Sequence, residues 1–167
     1  MKTKTSVVSL LGLLATSLLA AEPIISFEAG EAWRERVRPG SVKLEIVPEH
    51  AVHGQHSARA FLPGSDHDTW PGFEIVLRPE DYADGINELS FSVWHEEDDT
   101  MHLNWRLDFK EGQPSFRGGN IPPKTRKRIA LTIDRKDADG NSNRATKVVL
   151  YRRMPREDCT FWFDDFQ

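Results

Sequence analysis

Apolar and polar residues alternate along the chain in runs of five to nine, the period of two that puts one side of a strand in a core and the other in water. Leu89, Phe91 and Val93 share one side of such a run, with Ser90, Ser92 and Trp94 on the other. Leu103, Trp105, Leu107 and Phe109 oppose His102, Asn104, Arg106 and Asp108, while Ile129, Leu131 and Ile133 oppose Arg128, Ala130 and Thr132. The pattern predicts nine strands, at 24–28, 42–47, 57–62, 73–77, 88–95, 101–109, 128–133, 147–152 and 160–166. Pro63-Gly64, Pro71-Gly72, Gly118-Gly119-Asn120, Pro122-Pro123 and Asp139-Gly140-Asn141 fall between them and read as turns, because these residue types pre-set or tolerate turn dihedrals. Helical character is confined to 31–37 and a turn at 79–82. Short strands at this spacing predict an all-β fold, an antiparallel β-sandwich of about nine strands.

The last run, Thr160-Phe161-Trp162-Phe163-Asp164-Asp165-Phe166, interleaves aromatics with a double carboxylate. An ordered terminal strand with so much apolar area must be locked into a core to offset its ordering entropy. Ile24-Ile25-Ser26-Phe27-Glu28 is its counterpart near the other end, and the two are expected to meet. Upstream, Lys2 and Lys4 precede an apolar stretch from Val7 to Ala21. That stretch is too short for a membrane span and ends in small residues, so 1–21 reads as a cleaved signal peptide, after Ala20 or Ala21. The expectation is a secreted or periplasmic protein of bacterial type, with one domain over 22–167 and no membrane span.

Charge and cysteine content narrow the partners. Without Lys2 and Lys4, 20 basic residues face 26 acidic ones, a net charge near −6, which disfavours a nucleic-acid partner. Cys159 is the sole cysteine, so no disulfide framework forms. It reads as a small strand residue, since no sequence cue supplies an activating base.

Several segments in order resemble a known family. Phe27-Glu28 is followed by a Val-containing strand, His53-Gly54-Gln55-His56-Ser57-Ala58, Trp70-Pro71-Gly72-Phe73, Asp81-Tyr82, Leu89-Ser90-Phe91-Ser92-Val93 and the closing Phe161-Trp162-Phe163-Asp164-Asp165-Phe166. Over nearly all of 22–167 this looks like the galactose-binding-like jelly roll of secreted carbohydrate-binding modules. The resemblance implies a non-catalytic, lectin-like module for a polysaccharide or glycan. It also implies a structural Ca2+ held by Glu28 and Asp165, or Asp164. Calcium takes six to eight oxygens from carboxylates and carbonyls, and an ion bound only by the folded state stabilises it.

Sugar recognition needs flat apolar rings and planar polar groups. The outward stripe His102, Asn104, Arg106 and Asp108 offers the polar groups; Trp94, on the outward face of the preceding strand, and Trp70, beside Asp66, His67 and Asp68, offer rings. A polar strand face turned to plain solvent is the competing expectation for the same stripe. Trp105 and Trp162 are expected in the core. A structural or protein-interaction sandwich is the first alternative function. A small lyase or glycosidase is the second, with His102, Asn104, Arg106 and Tyr151 offering suitable groups. No Gly-x-Ser-x-Gly, His-Glu-x-x-His or P-loop signature occurs. Asp137-Ala138-Asp139-Gly140-Asn141 lacks the end ligands of an EF-hand loop and reads as a polar turn. His50, His53 and His56 recur every third position across a turn and would bind zinc only if that turn made them converge. Glu96-Glu97-Asp98-Asp99 reads as a hairpin tip.

Overall fold

A computed structural model describes residues 24–28, 33–64, 66–81 and 87–167. The expected signal peptide and Tyr82 lie outside the described residues. Among the described residues, eleven strands form two antiparallel sheets. The first sheet contains β1 (Val37–Arg38), β4 (Gly72–Val76), β10 (Ser142–Tyr151), β6 (Met101–Phe109) and β7 (Ser115–Ile121) in that order, with β9 (Asp134–Lys136) paired to β10. The second runs β2 (Lys43–Val47), β3 (Ser57–Leu62), β11 (Cys159–Asp164), β5 (Glu88–His95) and β8 (Lys127–Thr132). A four-residue helix, α1 (Trp33–Arg36), leads into β1, and a 3-10 turn spans Pro79–Asp81.

The apolar half of each alternating strand fills the space between the sheets. Leu89, Phe91 and Val93 face Leu103, Leu107, Val148 and Leu150 across it, all fully or nearly fully buried. The closing strand β11 sits centrally, between β3 and β5. Its inward Phe161 and Phe163 stack on Phe73, with ring centroids 6.1 and 4.5 Å away. The two ends of the described chain do meet: Ile25 bridges Phe166, and Phe27 packs edge-on against Phe163 at 5.2 Å. Gln167 and Ser90 exchange two backbone hydrogen bonds of 2.9 Å, which pin the terminus. Cys159 is buried, and that burial pushes its thiol pKa up, as befits a packing residue.

Three expectations need correction. Gly118-Gly119-Asn120 is not a turn but the middle of β7, an edge strand paired to β6 throughout. Glycine is needed there for close approach. A Cβ on Gly118 would lie 2.8 Å from His102 Nε2 and 3.0 Å from Asn104 Oδ1. Glu96–Asp99 is not a hairpin tip, because β5 and β6 belong to different sheets and this segment crosses between them. Trp162 is buried, but on the outer side of the second sheet rather than between the sheets; it pairs across to Arg59 and Trp94. Trp105 faces inward and packs, partly buried, against the core.

Candidate functional site

The outer face of the first sheet is assembled by register. Tyr151 lies opposite both Gly72 and Asn104, and Asn104 lies opposite Gly118, so one row crosses β4, β10, β6 and β7. The next row holds Glu74, Val149, Arg106 and Phe116. His102, Asn104, Arg106 and Asp108 therefore share one face, as their alternation requires. Gly72 is the hinge of the first row: a Cβ there would meet the Leu150 carbonyl oxygen at 2.5 Å and the Tyr151 Cβ at 2.6 Å.

The stripe divides into two functional halves. At one end, Arg106 binds Asp108 through Nε at 2.7 Å and Nη2 at 2.9 Å. Lys147 reaches both Glu74 (2.8 Å) and Asp108 (3.2 Å), and the Glu74 hydrogen bond leads in raising its pKa. These charges largely neutralise one another. At the other end, His102 Nδ1 lies 2.7 Å from Asn120 Oδ1, and Asn104 borders open aromatic rings. Trp70 and Tyr151 sit 5.7 Å apart, tilted at 51°. Trp70 is 50% exposed and Phe116 55%. Trp70, Asn104, Phe116, Arg117, Tyr151 and Arg153 line a depression of about 330 Å3. A second depression of about 350 Å3 continues on the other side of Trp70, toward Arg38, Asp68 and Glu74.

Local structure holds Trp70 in place. Asp68 accepts the Trp70 N–H through Oδ1 (2.9 Å) and the Ser41 hydroxyl through Oδ2, a side-chain-closed turn. Both bonds, with Ser41 the larger influence, hold the Asp68 pKa below its usual value. The turn is then stitched to the segment after β10: Arg152 N–H donates to Pro71 O (3.0 Å) and Met154 N–H to Thr69 O (2.8 Å). Tyr151, Phe116 and Arg153 had no periodic signal marking them as partners of Trp70. The Gly-rich sequence of β7 concealed Phe116, and only the register of β10 brings Tyr151 beside Trp70.

Trp94 does not join this face. It stands on the outer side of the second sheet, where the His50 ring stacks on it at 3.5 Å and 17°. Trp162 packs edge-on against it at 5.2 Å. His50 is thereby occupied as a packing group, and burial lowers its pKa. Among the described residues, no three or more His, Cys, Asp and Glu side chains form a metal-ligand cluster.

The expected ion-site carboxylates separate into two groups. Glu28 Oε1 accepts the N–H groups of Gln55 (2.7 Å) and His56 (2.9 Å), and its Oε2 lies 3.2 Å from His56 Nδ1. The Gln55 bond leads in lowering the Glu28 pKa. Asp164 Oδ2 accepts the N–H groups of Val52 (2.7 Å) and His53 (2.9 Å). Both carboxylates thus grip consecutive peptides of one turn, where Gly54 has φ 69° and no room for a Cβ beside Glu28. Asp164 Oδ1 is buried without a hydrogen-bond partner, and burial pushes the Asp164 pKa up. Asp165 points elsewhere: with φ 60°, its Oδ2 accepts from Arg128 Nη1 at 2.5 Å and its Oδ1 from Gln167 Nε2 at 2.8 Å. Asp165 is thus paired with a guanidinium, apart from the turn that Glu28 and Asp164 hold.

No family model and no curated protein matches the chain. Solved structures do. An exo-β-agarase superposes with a TM-score of 0.69 and 13% identity over 88% of this chain and 25% of its own. A second agarase gives 0.65 and 10% over 87% and 24%. A xylan-binding domain of carbohydrate-binding module family 22 gives 0.52 and 15% over 84% and 88%. The chain therefore spans about a quarter of the length of the two agarases and most of the xylan-binding domain. At these identities the likeness is one of fold alone, the two-sheet antiparallel β-sandwich.

Proposed function

We propose that this protein binds a polysaccharide across the outer face of the first sheet, as a non-catalytic module. The carrying observation is the row of Trp70, Tyr151 and Asn104, flanked by Phe116: open rings beside a planar amide over a shallow depression. Rings of this kind cover the C–H faces of pyranoses, and amides exchange hydrogen bonds with hydroxyls. Continuation of the depression past Trp70 suits an extended chain rather than a single sugar. The fold shared with a xylan-binding domain supports the reading. Of the stripe read from sequence, Asn104 and His102 contribute to recognition, while Arg106 and Asp108 mainly hold each other. Titration against soluble and insoluble polysaccharides tests the proposal: retention by the parent protein and loss in Trp70→Ala are expected. Binding unaffected by that change would defeat it, and release of reducing sugar or unsaturated uronate would instead establish an enzyme.

A structural Ca2+ belongs to the same proposal. The residues fit a cation in one specific respect, the buried and unpartnered Oδ1 of Asp164. Asp164 and Glu28 would hold it with carbonyls of the turn they grip, since calcium favours such mixed oxygen sets. When bound, the ion would supply positive charge to a buried carboxylate. Export from the cell, through cleavage within 1–21, completes the reading and is tested by N-terminal sequencing of the mature protein.

A further inference from the structure

The depression beside Trp70 is lined by two guanidinium groups, Arg117 and Arg153, and, among the described residues, by no carboxylate. This is unusual on a chain with 26 acidic and 22 basic residues. Other cations nearby are paired: Arg106 with Asp108, Lys147 with Glu74, and Arg152 with Glu97 at 3.3 Å. Neither Arg117 nor Arg153 has a carboxylate within ion-pairing distance among the described residues. Arg38, in the adjoining depression, shares its surroundings with Asp68 and Glu74.

Arg153 is also positioned rather than merely present. The bonds Arg152 N–H to Pro71 O and Met154 N–H to Thr69 O bracket it, which places it beside Trp70 just beyond the ends of β4 and β10. Its guanidinium carbon lies 5.3 Å from the Trp70 ring centroid, within cation–π range. Arg117 donates through Nη1 to Phe116 O at 2.9 Å, which anchors the group and leaves its other N–H bonds for a ligand. We propose that the glycan received at this depression is anionic, carrying a sulfate or carboxylate that Arg153 and Arg117 bind while its ring rests against Trp70 and Tyr151. The proposal rests on the carbohydrate-binding reading of this face. A guanidinium fork matches both anions, with two parallel N–H···O bonds each.

The test is affinity measured by calorimetry for a sulfated galactan, the same galactan after desulfation, polygalacturonate and neutral xylan, at low and at physiological salt. A preference of at least tenfold for an anionic polymer over its neutral counterpart is expected, shrinking as salt rises. Whichever of sulfate and uronate binds more tightly identifies the anion. The double variant Arg117→Gln/Arg153→Gln should erase the preference and retain the weaker neutral binding, whereas Trp70→Ala should weaken anionic and neutral binding alike. Affinity for both anionic polymers no greater than for the desulfated galactan and xylan, or a preference that survives the double variant, would overturn this inference and leave carbohydrate binding standing. Failure of the parent protein to bind any of the four would overturn the underlying reading itself. Both arginines are exposed, and an unchanged melting curve confirms that the double variant folds.

Discussion

Each outer face of the sandwich carries aromatic rings among polar side chains, but the chain treats them differently. On the second sheet, His50 stacks on Trp94 and Trp162 wedges in edge-on, leaving Trp162 only 5% exposed. On the first sheet, Trp70 and Phe116 remain half open. The difference lies in the loops. The segment after β2 folds back over the second sheet and delivers His50, whose positive φ of 58° turns the chain there. Beside Trp70, the loops instead hold the backbone that carries the ring, through Asp68 and the segment after Tyr151. Rings satisfied by their own protein stabilise it; rings left unsatisfied are available to a ligand.

Exchanging the two faces in experiment should separate stability from binding. The largest effect is expected at Trp162→Ala, which would cost about 3–5 kcal/mol of unfolding free energy, as large buried aromatics do, without altering glycan affinity in the protein that remains folded. Urea denaturation checks this; a loss under 1 kcal/mol would mean that the second face is not a sealed one. Trp70→Ala should do the reverse, weakening glycan binding by about 2 kcal/mol, roughly 30-fold, with a nearly unchanged melting temperature. If both variants reduced stability alike, the contrast between the faces would collapse.

Asp164 supplies an intermediate effect with a defined sign. Burial raises its folded-state pKa above the ordinary 3.8. The folded state therefore keeps a proton that the unfolded state has lost, and this group's contribution falls as pH rises from the unfolded value through the folded one. Glu28 acts oppositely: its lowered pKa makes its contribution present above about 4.5 and lost as pH falls through the folded value. Asp164→Asn keeps an acceptor for Val52 and His53 while removing the charge. Comparing urea midpoints with the parent over pH 3.5–6.5, the parent should lose stability relative to the variant as pH rises. Millimolar calcium should cancel that loss in the parent and leave the variant unmoved; an equal response of both to calcium would exclude Asp164 as its ligand.

The smallest effect should come from the charged half of the first face. A double-mutant cycle on Arg106 and Asp108 should give a coupling of about 0.2–1 kcal/mol, the range for part-exposed pairs. A larger value would show that this half is a stabilising device in its own right.

Sandwich architecture was legible because its cause is local. Alternation at 88–95, 101–109 and 128–133 can bury one side only by packing sheets together, and β5, β6 and β8 follow it closely. Edge strands escaped the same logic. β7 carries Gly118 and Gly119 where a strand signal needs bulky side chains, and its place is set by pairing with β6 rather than by its own propensity. For the site, the sequence determined that His102, Asn104, Arg106 and Asp108 share a face and that Trp94 turns outward, since alternation at a period of two fixes the sides of one strand; that Trp162 is buried on the outer side of its sheet rather than in the core came from the tertiary structure. Which outward rings are covered, and which carboxylates meet a guanidinium, depends on residues tens of positions apart. His50 over Trp94, Arg128 on Asp165 and Arg153 beside Trp70 are all such pairings. Only the tertiary structure could decide them, because long-range contacts are fixed by how the sheets and loops close, not by the pattern of any one strand.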